Sequence, residues 1–491
     1  MRLLLSILLI LSTSFITAKA QSIPKSYTLE DVIKIAKKQS PDGLVASNKF
    51  KSSYWQYRTY KAGFMPMLSF NATMPNINRS ISKVTSSDGS QTFVETKSTD
   101  YSMKMSLSKT IGLTGGQIFI NSGLERMDVF STSKTTSYLS NPVTIGFSQP
   151  LFSYNSYRWL NKTQPLIYNE AKQQYLEDVE LLSQRATNLF FDLLDSQIRA
   201  RIAKINQANN DTLYKIAKGR YNLGKIAENE LLQLELSLLN SNLQLEQTRN
   251  DVEVALFKLK SFLGIKSNDK IELSIPQQLM DIKIDIDKAV TQARSNRTDA
   301  ITFERKLIEA KSNVNRARTE NRFNANIYAL YGLTQSADNY SAVYKSPLDQ
   351  QQLSLGLQVP ILDWGLAKAK IKVAESNQEL VNTQIAQQKI DFDQEIMIKV
   401  LQFNMQYSQL LIAAKADTIG EKRFEVTKER YMIGKLGITD LNIAMTEKDR
   451  ASQDYLAALR SFWVNYFEMR RLTLYDFLQD NKIDVDFETM K

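Results

Sequence analysis

Residues 220–226 read RYNLGKI, and residues 430–436 read RYMIGKL. The two stretches lie 210 positions apart, and the same offset pairs Pro150 with Pro360. A glycine just past the end of a helix adopts the left-handed conformation at no steric cost. We therefore predict that each stretch is the tip of a helical hairpin, at Gly224 and at Gly434.

The self-similarity continues upstream of the tips. Residues 29–36 resemble residues 286–293, and Phe64 pairs with Phe323 at an offset of 259. Because 259 exceeds 210 by 49, the first half carries an insertion of that length between Met74 and Val143. Similarity at fixed spacing indicates a duplicated architecture, so we predict two structural repeats.

Two very long helices are predicted to lead into the tips, about Asn155–Asn222 and Trp364–Met432. Each run of about 68 residues corresponds to ~100 Å of helix. Apolar residues recur in the second run at spacings typical of a coiled-coil seam: Ile385, Phe392, Ile396, Phe403, Tyr407, Leu410 and Ala414. The alternative is the core of a plain helical bundle. After the tips we predict return helices at about Glu228–Phe262 and Ile438–Leu472.

Strands are predicted where apolar and polar residues alternate. This pattern covers 68–74, 143–148 and 353–359, and an extra hairpin at about 101–126 around Gly115-Gly116. A transmembrane barrel strand has this period of two, and so does a half-buried strand of a soluble sandwich. Aromatic residues near the strand ends favour the barrel, because such residues anchor barrels at the membrane interface: Trp55, Tyr154, Trp159 and Trp364.

The N-terminus predicts an export signal followed by a helix. A basic residue, an apolar run and Ala18-Lys19-Ala20 are typical of a secretory signal peptide, which we place at 1–20. Residues 28–62 are predicted to be helical, with Thr28 as the N-cap and a break at Pro41.

Composition excludes several kinds of chemistry. The 491 residues include no Cys and no His, so the chain has no thiol nucleophile, no Ser-His-Asp triad and no Cys/His zinc site. We expect no cofactor, no metal site and no catalytic residues. The net charge of +10 is a mild excess over a long chain, so we expect no nucleic acid as a partner.

The duplicated halves, the strand-proline-aromatic junctions and the paired tips resemble the TolC-like outer-membrane efflux family over nearly the whole chain. The resemblance implies an α+β fold, in which a trimeric outer-membrane β-barrel is continuous with a long periplasmic α-helical coiled-coil barrel. It implies a passive exit duct of a tripartite efflux or type I secretion system. It also implies four kinds of partner: two further copies in a homotrimer, a periplasmic membrane-fusion adaptor, an inner-membrane transporter of the RND or ABC type, and outer-membrane lipid.

Boundaries follow from these patterns. After the signal peptide we expect a first repeat at 21–264 with its tip near 220–228, and an equatorial linker at 265–284. A second repeat is expected at 285–474 with its tip near 430–438, followed by a polar C-terminal tail at 475–491. The family has two strands per half, so the extra hairpin either widens the barrel or folds elsewhere.

The resemblance also implies functional residues. Tyr431, Glu230 and Asp440 fall on positions that close the periplasmic entrance, whereas Leu436 stands where the family has a gating arginine. A competing interpretation makes Glu230 and Asp440 ordinary carboxylates at helix N-termini. Residues at the tips are expected to contact the adaptor: Arg220, Tyr221, Leu223, Gly224, Lys225, Arg430, Tyr431, Ile433, Gly434 and Lys435.

Two other classes of protein remain open. A soluble periplasmic coiled-coil adaptor or scaffold would have the same long helices but no barrel. A secreted hydrolase would need two acids converging in a pocket, and we find no globular segment to build one. We therefore expect that the chain is not an enzyme.

Overall fold

The computed structural model describes residues 25–85, 87–130, 133–266, 271–276 and 282–490. The predicted signal peptide lies outside these residues. Eight helices are described, and their lengths match in pairs across the two halves: α3 and α7 have 67 residues each, and α4 and α8 have 36 each. The helices are α1 (Leu29–Gln39), α2 (Pro41–Ala62), α3 (Ser156–Asn222), α4 (Glu228–Leu263), α5 (Ile286–Asn296), α6 (Thr298–Glu320), α7 (Leu366–Met432) and α8 (Ile438–Thr473).

The strands form one large sheet and two small ladders in the described residues. The strands are β1 (Lys25–Tyr27), β2 (Met67–Thr85), β3 (Gln91–Ile111), β4 (Gly116–Phe130), β5 (Lys134–Leu151), β6 (Ile271–Leu273), β7 (Asn324–Ala337), β8 (Leu348–Gln358), β9 (Tyr475–Asp476) and β10 (Asn481–Lys482). The large sheet has the order β2-β3-β4-β5-β7-β8, and every neighbouring pair in it is antiparallel.

Local sequence signals gave most helix ends. The Thr28 hydroxyl accepts a hydrogen bond from the Asp31 N–H at 3.2 Å, and the Asp31 carboxylate accepts one from the Thr28 N–H at 3.1 Å. This reciprocal cap satisfies two amides that the first helical turn leaves unpaired. The chain then breaks at Ser40 before Pro41, so the predicted N-cap and break are confirmed.

One compact unit comprises the described residues up to Lys49, together with Tyr175–Asn296 and Glu395–Asp486. Its core is built along the long helices, where the predicted apolar stripe is buried at Ile396, Phe403 and Leu410. The Phe403 and Phe462 rings lie 5.5 Å apart and join α7 to α8. The linker strand β6 pairs in parallel with β1, and the Gln197 amide donates to the Ile271 carbonyl at 2.7 Å.

A buried polar cluster also belongs to this unit. The Arg470 guanidinium lies 2.8 Å from the fully buried Glu180 carboxylate and also pairs with Asp476. The Tyr466 hydroxyl donates to Asp476 at 2.6 Å, and Lys37 lies 3.3 Å from Glu180. Two carboxylates therefore share one guanidinium away from water. Removing either kind of charge would leave the opposite charge buried without compensation.

The C-terminal residues differ from the irregular polar tail that the sequence suggested. Tyr475 and Asp476 form β9, are buried, and pair with Asn481 and Lys482 in β10. The difference arises because Asp476 meets partners on a preceding helix, a contact that local polarity does not reveal.

The second unit comprises Phe50–Gln174, Arg297–Gln394 and Phe487–Lys491, and it contains the large sheet. The extra hairpin is β3–β4, and it lies inside this sheet between β2 and β5. Helices α3, α6 and α7 contribute to the same unit, where Arg305 of α6 binds Glu170 of α3 at 2.8 Å.

The sheet has two chemically different faces near the strand ends that join the helices. One cross-strand row on the first face is apolar and solvent-exposed on five of the six strands, and its β8 member is Gln351. The apolar members are Leu68, Leu107, Ile120, Ile145 and Tyr331. The adjacent row on the opposite face is polar or small: Ser69, Ser106, Asn121, Thr144, Gly332 and Gln350. Among the described helices, none is long and apolar enough to cross a membrane.

Candidate functional site at the hairpin tips

Both tips end their long helix with the same backbone motif. Gly224 has φ +68°, its N–H donates to the Tyr221 carbonyl at 2.8 Å, and the Lys225 N–H donates to the Arg220 carbonyl at 2.9 Å. Gly434 has φ +75° and repeats both hydrogen bonds, at 2.9 Å each. This Schellman motif satisfies carbonyls that a helix end leaves open. The two turns therefore have the same geometry.

A small apolar cluster joins the two hairpins just behind the tips. It contains residues from all four long helices, all of them buried: Ala217, Leu234, Phe424, Ile438, Leu441 and Ala444. Tyr431, Leu231 and Ile226 pack against its edge. The tips are therefore held to one another by burial of side chains from both hairpins.

Tyr431 lies between the two hairpins. Burial raises the pKa of Tyr431, the positive charge of Arg220 opposes that rise, and the negative charge of Glu230 adds to it. The structure thus brings these three predicted residues within electrostatic range of one another. In the described part of the chain, no hydrogen bond joins the Tyr431 hydroxyl to Glu230. At neutral pH this hydroxyl is protonated and available as a donor.

Asp440 has a local structural role. Its carboxylate accepts a hydrogen bond from the Gly437 N–H at 3.3 Å, at the N-terminus of α8. A carboxylate in a first helical turn is stabilised by the helix dipole. Asp440 is also exposed. Its role at the periplasmic entrance stays a prediction, whereas its role as a helix cap is observed.

The outermost tip residues divide into cations and apolar side chains. Lys225, Lys435 and Arg430 are exposed, and Arg220 is half-buried. Leu223 and Ile433 occupy equivalent positions with 71% and 66% of their surfaces exposed. Tyr221 is also exposed. These positions form the tip surface, which we define as Tyr221, Leu223 and Ile433.

The sequence did not identify the ion pair behind the second tip. Arg423 of α7 pairs with Glu447 of α8, and the Lys448 ammonium lies 4.5 Å from the centre of the Phe424 ring. Residues 24 positions apart on two helices give no local signal of pairing.

The aromatic residues expected at a membrane interface have different surroundings. Trp55 and Trp364 are 59% and 90% exposed. The Tyr154 hydroxyl lies 2.6 Å from the Ser312 hydroxyl, with the Arg316 guanidinium 4.5 Å from the ring centre. Trp159 is half-buried, with the Lys162 ammonium 5.1 Å from its ring. Tyr154 is therefore held by contacts with α6, whereas most of the surface of Trp55 and Trp364 is exposed.

No three acidic side chains of the described residues cluster closely enough to hold a metal ion. Around the tips, the geometry offers a tyrosine donor, charged helix ends and exposed apolar side chains. The polar groups can form and break hydrogen bonds and ion pairs, and the apolar side chains can be buried by a binding partner.

The chain is similar to known proteins in sequence and in fold. Residues 32–265 match the family model of the outer membrane efflux proteins. The fold is similar to that of the Campylobacter jejuni CmeC outer membrane channel, with a TM-score of 0.64 and 15% identity over 94% of this chain and 88% of that one. It is also similar to the outer membrane protein VceC of Vibrio cholerae, with a TM-score of 0.60 and 12% identity over 93% and 97%. No match is found among curated protein sequences.

Proposed function

We propose that the chain is an outer membrane efflux protein, because residues 32–265 match the model of that family, and that it is a passive exit duct of a tripartite efflux or type I secretion system. Three copies would share one β-barrel in the outer membrane and one helical tunnel in the periplasm. A periplasmic adaptor and an inner-membrane transporter of the RND or ABC type would supply the substrate and the energy. The duct has no active site of its own.

The observation that carries the proposal is the exposed apolar face of the six-stranded sheet. Leu68, Ile145 and Tyr331 belong to one cross-strand row and are 64%, 52% and 57% exposed. Exposed apolar areas of this extent are unusual on a soluble monomer. Lipid removes the cost of exposing them, and the polar opposite face then suits a water-filled lumen.

Fractionation and mass measurement test the proposal together. The chain should pellet with the outer membrane, and detergent should release a complex with the mass of three copies. In planar bilayers that complex should conduct ions. A well-behaved monomer in plain buffer would contradict the proposal and favour the soluble coiled-coil scaffold.

We further propose that Tyr431, Glu230 and Asp440 restrict the periplasmic entrance. The proposal is supported by the position of Tyr431 between the hairpins and by its electrostatic coupling to Glu230. Removing the hydroxyl and the charge in a Tyr431→Phe, Glu230→Gln double variant should raise single-channel conductance.

The matched control is a Tyr221→Phe, Glu228→Gln double variant. It makes the same two chemical changes at neighbouring tip positions, away from Tyr431, and should leave the conductance at the parent value. Equal conductance of both double variants would contradict the entrance role.

We propose that the tip surface docks the adaptor. Leu223 and Ile433 are large apolar residues that occupy equivalent exposed positions, and a partner that covers them would gain by their burial. A Leu223→Ser, Ile433→Ser double variant should therefore lose adaptor binding in pull-down from cross-linked cells. A Lys225→Gln, Lys435→Gln variant should retain most of it. Loss in the lysine variant alone would contradict apolar docking.

A further inference from the structure

The extra hairpin changes how many strands each copy brings to a shared wall. β3 pairs with β2 on one side and with β4 on the other, and β4 continues the sheet to β5. The ladder between β3 and β4 runs without interruption from Ser98 to Ile111. The hairpin is thus an integral part of the sheet, which has six strands and two outer edges, β2 and β8.

The part of each outer edge that lies nearest the helices lacks the charges and prolines that prevent pairing. Soluble proteins protect exposed edges with lysine, proline, inward charges or bulges. Residues 67–74 of β2 and 350–358 of β8 contain no charged residue and no proline. Pro75 and Pro360 follow just beyond these segments. The two edges are therefore open to pairing where the apolar face lies.

Strand direction makes the two edges compatible with each other. Neighbouring strands alternate in direction across the sheet, and six is an even number, so β2 and β8 run in opposite directions. When copies are related by a rotation axis, β8 of one copy meets β2 of the next in antiparallel orientation. An odd number of strands would have placed two parallel edges together.

We propose that β8 of each copy pairs with β2 of a second copy, so that all six strands of each copy enter one closed barrel. The inference rests on the proposed trimeric duct. With three copies the wall has eighteen strands. If β3–β4 lay outside the wall, four strands per copy would give twelve.

The alternation of side chains fixes the register of this pairing. If Met67 meets Gln358 of the next copy, then Leu68 meets Leu357 and Phe70 meets Leu355, and the apolar face continues across the junction. A slip by one residue would bring apolar side chains to the polar face. Only registers that keep this parity preserve both faces.

The sheet already has the slant that closure requires. One row of directly opposed residues crosses it perpendicular to the strands: Met67, Ser108, Phe119, Gly146, Leu330 and Gln352. Met67 begins β2, whereas β8 continues six residues beyond Gln352 to Gln358 before the chain leaves for α7. The junction with the next copy adds a sixth spacing, so each copy advances six residues along the strands over six spacings between them. That is about 20 Å against about 29 Å, a slant of ~35°. Closed barrels have strand tilts of about 35–45°.

The consequence is a wide lumen. At a tilt of ~35° and a strand spacing of ~4.8 Å, eighteen strands give a backbone radius of about 17 Å, against about 11 Å for twelve. Barrels of sixteen to eighteen strands leave an open aqueous channel. The wall would then pass bulkier cargo than a twelve-stranded wall, and the restriction would lie elsewhere along the duct.

Cysteine cross-linking of the full-length protein in outer membranes tests the proposal, because the chain contains no native cysteine. A Leu68→Cys, Leu357→Cys variant should form disulfides between copies under mild oxidation, with covalent dimers and trimers as the main species on non-reducing gels. A Leu68→Cys, Gln358→Cys variant moves one thiol by a single residue to the opposite face. It should remain monomeric on the gel.

Two further variants report on the hairpin. Leu68→Cys with Leu107→Cys joins neighbours within the sheet and should lose its free thiols without forming covalent oligomers. Leu68→Cys paired with Ile145→Cys or with Phe147→Cys places the thiols three strands apart, about 14 Å, and both variants should keep their free thiols. A disulfide within one chain in either of them would show that β2 lies beside β5, which overturns the proposal.

The mass of the detergent complex separates this inference from the proposed function. A trimer in the outer membrane with a bond between β2 and β5 would overturn the six-strand wall and leave the duct intact. A membrane trimer in which neither Leu357→Cys nor the β5 variants cross-link to Leu68→Cys would also overturn the pairing of β2 with β8. A soluble monomer would remove both proposals.

Discussion

Two glycines near the first tip should respond to alanine in opposite directions. Gly224 has φ +68°, which an alanine adopts only at a cost of about 1–2 kcal/mol. Alanine also lowers the conformational entropy of the unfolded chain, which favours folding by about 0.4–1 kcal/mol. We therefore expect Gly224→Ala to destabilise the tip by about 1 kcal/mol. Gly219 lies inside α3, and a Cβ added there meets no atom within 4 Å beyond the neighbouring residues and the backbone of its own helix. Gly219→Ala should stabilise the same turn by about 0.5–1 kcal/mol.

Hydrogen exchange in the detergent-purified protein measures both effects where they occur. Because 1.4 kcal/mol corresponds to a tenfold change in an equilibrium constant, amides of the last turn of α3 should exchange about fivefold faster in Gly224→Ala. In Gly219→Ala they should exchange about two- to fivefold more slowly. Gly434→Ala should reproduce the Gly224→Ala effect at the second tip, since both glycines close the same motif.

The comparison has a clear adverse result. If alanine at Gly219 and at Gly224 shifts exchange in the same direction, the left-handed glycine does not determine the stability of the tip. If Gly434→Ala changes exchange in the first tip as strongly as in its own, the tips open as one unit.

Three further changes test the part of the chain behind the tips. Arg470→Met leaves two buried carboxylates without their guanidinium and should cost about 3–5 kcal/mol, seen as a lower melting temperature in detergent; Arg249→Met, in an exposed ion pair, should cost about 0–1 kcal/mol. Phe424→Ala removes a buried ring between the hairpins and should cost about 3–5 kcal/mol in the same melt. The hydrogen bond from Lys288 lowers the pKa of Asp480, so its stabilising effect is present above the unfolded pKa and is lost as pH falls through the folded value. Asp480→Asn should therefore flatten the acid limb of the melting-temperature profile, whereas an unchanged limb would contradict the assignment.

Elements defined by local periodicity were readable from the sequence. The glycine tips, the long helices and the alternating strands each depend on residues close together in the chain. The four helices of the two hairpins begin and end within two residues of the predicted bounds, whereas β2, β3 and β5 each extend roughly ten residues beyond the predicted strand segments. The equal lengths of α3 and α7 agree with the single offset that pairs Gly224 with Gly434.

Pairing between distant residues was not readable. Alternation identified β3 and β4 as strands but could not say which strands they join, because every alternating strand offers the same backbone donors and acceptors. Likewise, Asp476 appeared to belong to a polar tail until the fold placed it beside Arg470 and Tyr466. At the tip, the sequence placed Tyr431 and Glu230 by resemblance, while their electrostatic coupling depends on how the two hairpins pack.

The charges at the tips are explained without any partner. Arg220 and Lys225 lie at the C-terminus of α3, where the negative end of the helix dipole stabilises cations. Glu228 and Glu230 lie in the first turn of α4, where the positive end of the dipole stabilises carboxylates. The second tip repeats this arrangement from Arg430 to Asp440. Helix-end chemistry gives no reason, however, for Leu223 and Ile433 to be large and apolar while most of their surface faces solvent. A polar residue would terminate the helix equally well at either position, so the apolar pair is the stronger evidence for a docked partner, and apolar contact is where that partner should be sought.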